Sequence, residues 1–205
     1  MVQVCSRIKE NLFELVEDEN NSKHTLHYKL KQKMRNSKNK VFRKLSEKME
    51  KETLSESEMG RYKRELRKME KEIISRSDIV CCTCSSAFDF RLRKFHFDCL
   101  LVDEATQATE PEILLPMLKG PRQVILIGDH MQLGPVVLSK EAAQGGMNRS
   151  LFERMVKLGL RPVRLEVQYR MHPALSQFPS ESYYDGKLMN GVAQNDRHFV
   201  DIIKG

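Results

Sequence analysis

The amino-acid sequence predicts an α/β fold built on a parallel sheet, and two apolar segments are the main evidence for it. The predicted strands Phe97–Val102 and Gln123–Ile127 each lead directly into charged or polar side chains. A predicted helix lies between them, beginning at Pro111 and extending to Leu118. Strands that alternate with helices imply parallel pairing and right-handed crossovers. Ligands of such sheets bind at the carboxyl ends of the strands, so the polar residues there are the first candidates for a functional site.

The chain divides into four predicted regions. Residues 1–19 are expected to form a partial strand and helix of a first domain, and residues 20–76 an inserted helical hairpin. Residues 77–161 are expected to supply the remainder of the first domain, and 162–205 the beginning of a second. The first domain is therefore expected to be incomplete, and the second too short to close a sheet of its own.

Apolar residues between positions 20 and 76 recur at steps of three and four, which predicts an antiparallel helical hairpin. Ser55 and Glu58 match a capping box at the start of its second helix, and Leu54 and Met59 are placed to form a hydrophobic staple. Such a narrow apolar seam favours a protruding arm. The two stripes consist of Leu26, Leu30, Met34, Val41, Leu45 and Met49 on the first helix and Met59, Tyr62, Leu66, Met69 and Ile73 on the second.

The remaining predicted elements are short. Ser150 and Glu153 form a second capping box, which begins a helix that extends to about Lys157. The other elements are strands at Asp78–Thr83 and Val163–Val167, a helix from about Pro173 and a loop around Asp185–Gly186.

Composition places the chain among globular proteins and excludes several other classes. Of its 205 residues, 40% are hydrophobic and 31% are charged, which is not typical of a disordered chain. No apolar run is long enough to span a bilayer, and the N-terminus lacks the pattern of a secretory signal. The formal net charge is +7, and residues 23–44 contain nine Lys or Arg without any Asp or Glu. Such a block favours nucleic-acid phosphates, although a solvated helix face explains it equally well.

The five cysteines do not form the pattern of a secreted disulfide framework, so a reducing cytosolic or nuclear setting is expected. Cys81 and Cys84 have the spacing of a zinc-ligand pair, but no second pair follows at the usual distance. We therefore predict no zinc site and expect Cys81 and Cys99 to be buried in strands.

Two carboxylates that follow the predicted strand Phe97–Val102 are candidates for a catalytic role. Asp103 is suited to hold Mg²⁺, and Glu104 is suited to accept a proton from the water that attacks a γ-phosphate. A surface turn is the structural alternative. After the next strand, Gln132 offers a donor and an acceptor for a phosphate oxygen or for that water; the alternative is a loop that caps its own backbone.

A third candidate group follows the strand at Val163–Val167. Arg170 is suited to neutralise charge on a transferring phosphoryl group, and Tyr169 is suited to stack on a base. A purely structural Tyr-Arg pair is the alternative interpretation.

Three motifs in this chain, Val102–Glu112, Gly128–Pro135 and Gln168–Pro173, resemble those of superfamily 1 helicases, and in particular RNA helicases of the up-frameshift type. Segments Cys81–Cys84 and Ser150–Arg154 fit the same family, as does the stretch from Gly186 to Val192. The likeness extends from the hairpin to about Gly191 and is weakest in the hairpin.

The resemblance implies two RecA-like domains of the P-loop NTPase class that clamp ATP and move 5′ to 3′ along single-stranded RNA. It makes Asp103 the Mg²⁺ residue, Glu104 the catalytic base and Gln132 the γ-phosphate sensor. It further implies that Arg170 contacts phosphate and that Tyr169 packs on the adenine of ATP.

The resemblance also places Thr83, Pro135 and Val136 near the RNA path and makes the hairpin an insertion in the first domain. The family acts in nonsense-mediated mRNA decay in the cytoplasm, with mRNA-decay and translation-termination factors as partners. No membrane association is implied.

One departure from the family limits what this chain is expected to do. No Gly-x-x-x-x-Gly-Lys-Ser/Thr occurs in the sequence, so the loop that cradles the ATP phosphates is missing from it. We expect the chain to be part of a larger helicase and to neither hydrolyse ATP nor unwind RNA alone. Two alternatives stay open: a DNA-directed relative in the same superfamily, and a truncated, non-catalytic nucleic-acid-binding protein.

Overall fold

The computed structural model describes residues 1–4 and 23–196, in which three pairs of parallel strands form the framework. The predictions for residues 5–19 lie outside this range. Strand β1 (Val2–Gln3) pairs with β2 (Val80–Cys81), and β3 (Cys99–Val102) pairs with β4 (Gln123–Leu126). Strand β5 (Val167–Gln168) pairs with β6 (Met189–Asn190). The predicted mixed α/β class with parallel pairing is confirmed.

The helices lie between these strands. Helices α1, α2 and α3 span Leu26–Arg35, Lys40–Glu50 and Glu56–Ser75, and α4 spans Glu110–Met117 between β3 and β4. Helices α5, α6 and α7 span Lys140–Gln144, Leu151–Lys157 and Pro173–Tyr183, and 3₁₀ helices occur at Ser85–Phe88 and Gln194–Asp196. None of the described helices is long and apolar enough to cross a membrane.

The first arm of the predicted hairpin is two helices rather than one. Helix α1 ends at Arg35, and Asn39 begins α2 by accepting hydrogen bonds from the backbone N–H groups of Val41 and Phe42. This break changes the helical register. Phe42 is therefore buried and stacks on Tyr62, with 5.5 Å between ring centroids, whereas Val41 is 62% exposed. The assignment of Val41 to the apolar stripe was wrong.

The second arm agrees with the sequence. The Ser55 hydroxyl accepts from the Glu58 backbone N–H, and the Glu58 carboxylate accepts from the Ser55 N–H, so the predicted capping box is confirmed. A core of Val2, Val4, Leu26, Ile74 and Leu92 joins the base of the helical region to the strand pair β1–β2.

The pair β3–β4 has one covered face and one open face. Val102 and Ala105 pack with Ile113 of α4 and Leu151 of α6 on the covered side. On the other side, Leu101 is 57% exposed. In the described chain, the helices that flank this pair therefore cover only one of its faces.

Two local predictions also differ from the structure. Cys81 and Cys99 are exposed rather than buried. Cys99 is exposed because it lies on the open face of β3. The predicted strand Val163–Val167 is paired only at its end, because β5 begins at Val167, and both Val163 and Leu165 are exposed.

Candidate functional site

Asp103 and Glu104 form a tight turn immediately after β3. The Glu104 backbone N–H donates to Asp103 Oδ1 at 3.1 Å, and Glu104 lies in the left-handed region with φ of 51°. This conformation costs a residue with a β-carbon about 1–2 kcal/mol, so the surrounding structure must hold it. Gln107 does so by donating its backbone N–H to Glu104 O and its Nε2 to Glu104 Oε2, at 2.9 and 3.2 Å. Both carboxylates are exposed.

The turn after β4 lies directly beside the turn after β3. The Ile127 N–H donates to Val102 O at 2.8 Å, and the Ala105 N–H donates to Ile127 O at 2.7 Å, which extends the strand pairing past the last paired residues. A β-carbon on Gly128 would lie 3.0 Å from both backbone and side-chain atoms of the buried Thr106. A side chain at position 128 would press against Thr106, so glycine favours the close approach of the two turns.

Asp129 is the most connected carboxylate of this region. It accepts from the Met131 N–H at 3.0 Å, from Gln132 Nε2 at 2.8 Å and from the Tyr184 hydroxyl at 2.5 Å. Burial raises the pKa of Asp129, but these hydrogen bonds outweigh burial and hold the pKa below its ordinary value. The amide of Gln132 is thus oriented by Asp129, and Tyr184 ties the end of α7 to the turn after β4.

The Gln168 side chain organises the turn that contains Tyr169 and Arg170. Its Oε1 accepts from the backbone N–H groups of Arg170 and Met171 at 2.9 and 2.7 Å. Its Nε2 donates to Met171 O at 2.8 Å and to Asn190 Oδ1 at 2.6 Å. The turn is therefore fixed to β6, while the side chain of Arg170 remains exposed.

Tyr169 lies over Gly191, the residue after β6. A β-carbon at Gly191 would clash with the Tyr169 ring, so glycine is needed for the ring to lie here. The ring is 63% exposed and presents a flat surface to solvent. Within the described residues, no hydrogen bond or ion pair joins the Arg170 side chain to Asp103 or Glu104.

The residues expected near the RNA path lie on two segments that adjoin α4. Pro135 and Val136 line a cleft of about 330 Å³ together with Thr109 and Glu112 of the α4 capping box. Pro135 is buried there, whereas Val136 is exposed.

Thr83 is exposed, and its Oγ1 accepts from the Ser86 backbone N–H at 3.2 Å, in the 3₁₀ helix Ser85–Phe88 that packs on α4. The neighbouring Cys84 has a raised pKa because of burial and the nearby Glu112 charge. The structure thus places Pro135 and Val136 at the start of α4. Thr83 precedes a 3₁₀ helix whose Phe88 ring lies 5.9 Å from Lys119 Nζ, just after the other end of α4.

Two ion-paired residues that sequence reasoning did not single out hold this region together. Arg154 of α6 donates to both oxygens of Glu110, at 2.7 and 2.6 Å, which clamps α6 to the first turn of α4. The hydrogen bond from Arg154 holds the pKa of Glu110 below its ordinary value. Both residues lie inside motifs noted in the sequence, but their pairing spans 44 positions and leaves no local signal.

The carboxylate chemistry of Asp103 fits a magnesium ligand of the kind that shares its ion with a nucleotide. Mg²⁺ is commonly held by one or two carboxylates together with substrate phosphates and water, so a cage of protein ligands is not required. In the part of the chain that the structure describes, no group of three or more His, Cys, Asp or Glu is placed to hold a metal ion.

Comparison with known proteins gives two family matches and several close relatives. Residues 2–140 match an AAA domain, and residues 147–203 match a second AAA domain. The chain is 46% identical over 202 residues to the regulator of nonsense transcripts 1 homolog of Arabidopsis thaliana, covering 98% of this chain and 16% of that protein.

Two further relatives match the chain at higher identity over a shorter length. The regulator of nonsense transcripts 1 of Caenorhabditis elegans is 56% identical over 142 residues, covering 69% of this chain and 13% of that protein. The ATP-dependent helicase NAM7 of Saccharomyces cerevisiae is 53% identical over 144 residues, covering 70% and 15%. The chain therefore spans a small part of the length of these relatives.

Proposed function

The chain belongs to the AAA domain family, and from this premise we propose that it forms part of an ATP-dependent RNA helicase of nonsense-mediated mRNA decay. The parent protein would hydrolyse ATP between two RecA-like domains and move 5′ to 3′ along single-stranded RNA. We further propose that it acts in the cytoplasm with mRNA-decay and translation-termination factors. The likeness to regulators of nonsense transcripts and to ATP-dependent helicases supports these assignments.

The single structural observation that carries the proposal is the pair of adjacent turns after β3 and β4. They present the exposed carboxylates of Asp103 and Glu104 beside the segment that holds Gln132. The carboxyl ends of parallel strands are where such folds bind their ligands. A carboxylate for the metal, a second carboxylate for the water and an amide for the phosphate are the groups that nucleotide hydrolysis requires.

Each residue then has a distinct role. Asp103 would hold Mg²⁺, and Glu104, fixed by Gln107, would accept the proton of the attacking water. Gln132, oriented by Asp129, would contact the γ-phosphate. ATP and Mg²⁺, when bound, supply the transferable phosphoryl group and the neutralising charge.

The second motif region completes the site. Arg170 would stabilise negative charge on the transferred group, and Tyr169 would pack on the adenine through its exposed ring face. Pro135 and Val136, near the start of α4, and Thr83 would contact RNA.

The Glu104→Gln substitution in the full-length protein tests the catalytic assignment. It retains the size of the side chain and its bond to Gln107 but removes the base, so RNA-stimulated ATP hydrolysis should fall by about 10²–10⁴-fold. Nucleotide binding should be retained. The matched control is Glu181→Gln, which changes an exposed carboxylate on α7. Equal losses in both variants, or full activity of Glu104→Gln, would contradict the role of Glu104.

A further inference from the structure

A second cleft of about 340 Å³ lies where the helical hairpin meets the rest of the described chain. We name it the hairpin-base cleft; it is lined by the last turns of α3 and by the segment 90–95. Its side chains include four exposed cations and a single carboxylate, Glu70. The four cations are Arg67 and Lys71 of α3 and Arg93 and Lys94 of the segment 90–95.

The four exposed cations of this cleft outnumber the carboxylate of its lining, Glu70. None of the four cations forms an ion pair with another residue that the structure describes. A fifth cation of the lining, Arg91, is buried and bonds to both oxygens of Asp89, at 3.0 and 2.9 Å. The four exposed cations are therefore available to an anionic ligand. Arg91 is instead held by Asp89.

An exposed aromatic ring adjoins these charges. Phe90 lines the cleft and is 50% exposed, although a phenylalanine normally gains free energy by burial. Cations for a phosphate backbone beside a ring on which a base stacks are the combination that proteins use for single-stranded nucleic acid. An acidic peptide would use the cations but has no comparable use for the ring.

The position of the cleft relates it to the proposed RNA path. Lys119, just after α4, donates its Nζ to Leu92 O at 3.0 Å, which fixes the segment 90–95 at the carboxyl end of α4. Pro135 and Val136 lie near the opposite end of this helix. Eight helical residues span about 12 Å, so the two places are close enough for one extended strand.

From these observations we propose that the hairpin-base cleft is a second binding site for single-stranded RNA, at which Phe90 stacks on a base and the four cations contact the backbone. The inference rests on the proposed function, because it assumes that RNA is the ligand of this protein. It adds an anchoring site outside the motifs from which that function was inferred.

The test is binding of a fluorescent oligouridine to the protein at several salt concentrations. Replacing Arg67 and Arg93 by Gln should weaken binding on the order of tenfold and reduce the salt dependence by about one to two ions. The matched control replaces Arg122 and Arg161, two exposed arginines outside the cleft, and should change neither quantity in this way. The Lys71→Gln and Lys94→Gln pair repeats the test independently, with circular dichroism to verify folding.

The Phe90→Leu variant separates stacking from charge. It should weaken binding on the order of tenfold with an unchanged salt dependence, because a base no longer has a ring to stack on. Equal effects of the cleft and control arginine pairs, with RNA still bound, would overturn the cleft and leave the proposed function standing. No RNA binding by the unsubstituted protein would overturn both. Displacement of the RNA by polyglutamate, with no effect of Phe90→Leu, would identify an acidic peptide site and also overturn the inference.

Discussion

Asp129 determines how the candidate sensor Gln132 is presented. A glutamine at an exposed turn has many rotamers, and holding it in one costs conformational entropy. The bond from Gln132 Nε2 to Asp129 Oδ2 restricts that freedom, and the Tyr184 hydroxyl donates to the same oxygen. A displacement of the end of α7 would therefore change the position of the Gln132 amide, because Tyr184 and Gln132 both hydrogen-bond to Asp129 Oδ2. This makes Tyr184 a positioning residue, since it acts through Asp129.

The Tyr184–Asp129 contact predicts a specific pH dependence. The pKa of Tyr184 is raised above 10.0 by burial and by the nearby Asp129 carboxylate, so its contribution to stability is present below pH 10 and is lost as the pH rises through the folded value. Asp129, whose pKa is lowered below 3.8, contributes above pH 3.8 and loses its contribution as the pH falls through its own folded value. The contact should thus persist from mildly acidic to mildly alkaline pH.

Ultraviolet titration of the tyrosines measures this directly. Tyr184 should ionise above its ordinary range, and Tyr184→Phe should remove that late transition. Asp129→Asn should shift it only part of the way toward pH 10, because burial remains. If no tyrosine ionises late, or if Asp129→Asn leaves the late transition unchanged, the contact does not exist in solution.

The Gly191→Ala substitution tests whether the position of the Tyr169 ring matters for ATP binding. The added β-carbon would clash with the tyrosine ring, which must then rotate away from its place beside β6. We expect weaker ATP binding by the full-length protein, with little change in thermal stability, because the ring is largely exposed. Isothermal titration with ATP measures the effect, and Tyr169→Ala should reproduce it. Unaltered affinity in Gly191→Ala would show that the position of the ring does not matter for the nucleotide.

At single residues, the sequence predicted the types and neighbours of the site but not its long-range bonds. Asp103 and Glu104 were placed by the apolar strand before them, and they do follow β3 directly. The bond between Tyr184 and Asp129 joins positions 55 residues apart, so it depends on tertiary packing that no local pattern encodes. The catalytic, ATP-binding and RNA-binding roles of the named residues stay predictions.

At the scale of elements, the hairpin shows what periodicity can and cannot determine. The regular seam of α3 and its capping box were read correctly, because spacing and capping are local properties. The break between α1 and α2 was missed, although the run Asn36-Ser37-Lys38-Asn39 contains the residues that favour helix ends. A break of this kind resets the register, so a stripe counted across it selects the wrong residue.

Phe42 and Val41 provide the test of that register. Phe42→Ala removes a fully buried ring that stacks on Tyr62 and should lower the free energy of unfolding by about 3–5 kcal/mol. Val41→Ala, at an exposed position on the same helix, should change it by less than about 0.5 kcal/mol. Urea unfolding of both variants measures these changes in the free energy of unfolding. Similar losses for the two, or a larger loss for Val41→Ala, would favour a continuous first helix.

At the scale of the whole molecule, parallel strand pairing was predictable, whereas burial was not. The alternation of strands and helices predicted parallel pairing, and all three described strand pairs are parallel. Burial of Cys99 was inferred from its residue type and from the apolar strand that contains it, whereas the structure leaves it exposed. Composition does not specify how many layers cover a sheet, and in the described chain Leu101 and Ile127 lie on an open face.

Whether these 205 residues are catalytic by themselves depends on the complete set of motifs that they contain. They contain Asp103, Glu104, Gln132 and Arg170 but no glycine-rich loop ending in Lys-Ser or Lys-Thr, whose backbone N–H groups and lysine bind the phosphates. Without that loop, positioning of the γ-phosphate is lost, and positioning together with charge stabilisation supplies most of the catalysis of phosphoryl transfer. We therefore expect the isolated chain to release no phosphate from ATP above background, with or without RNA.

The measurement is phosphate release by the purified chain, with its Glu104→Gln variant as the control for contaminating ATPases. Equal, background rates in the two proteins are the expected result. RNA binding by the same preparation would show that the chain is folded and that only the phosphate-binding part of the machinery is missing. Hydrolysis that RNA stimulates and Glu104→Gln abolishes would mean that Arg170, or another cation of this chain, takes the place of the phosphate-binding loop.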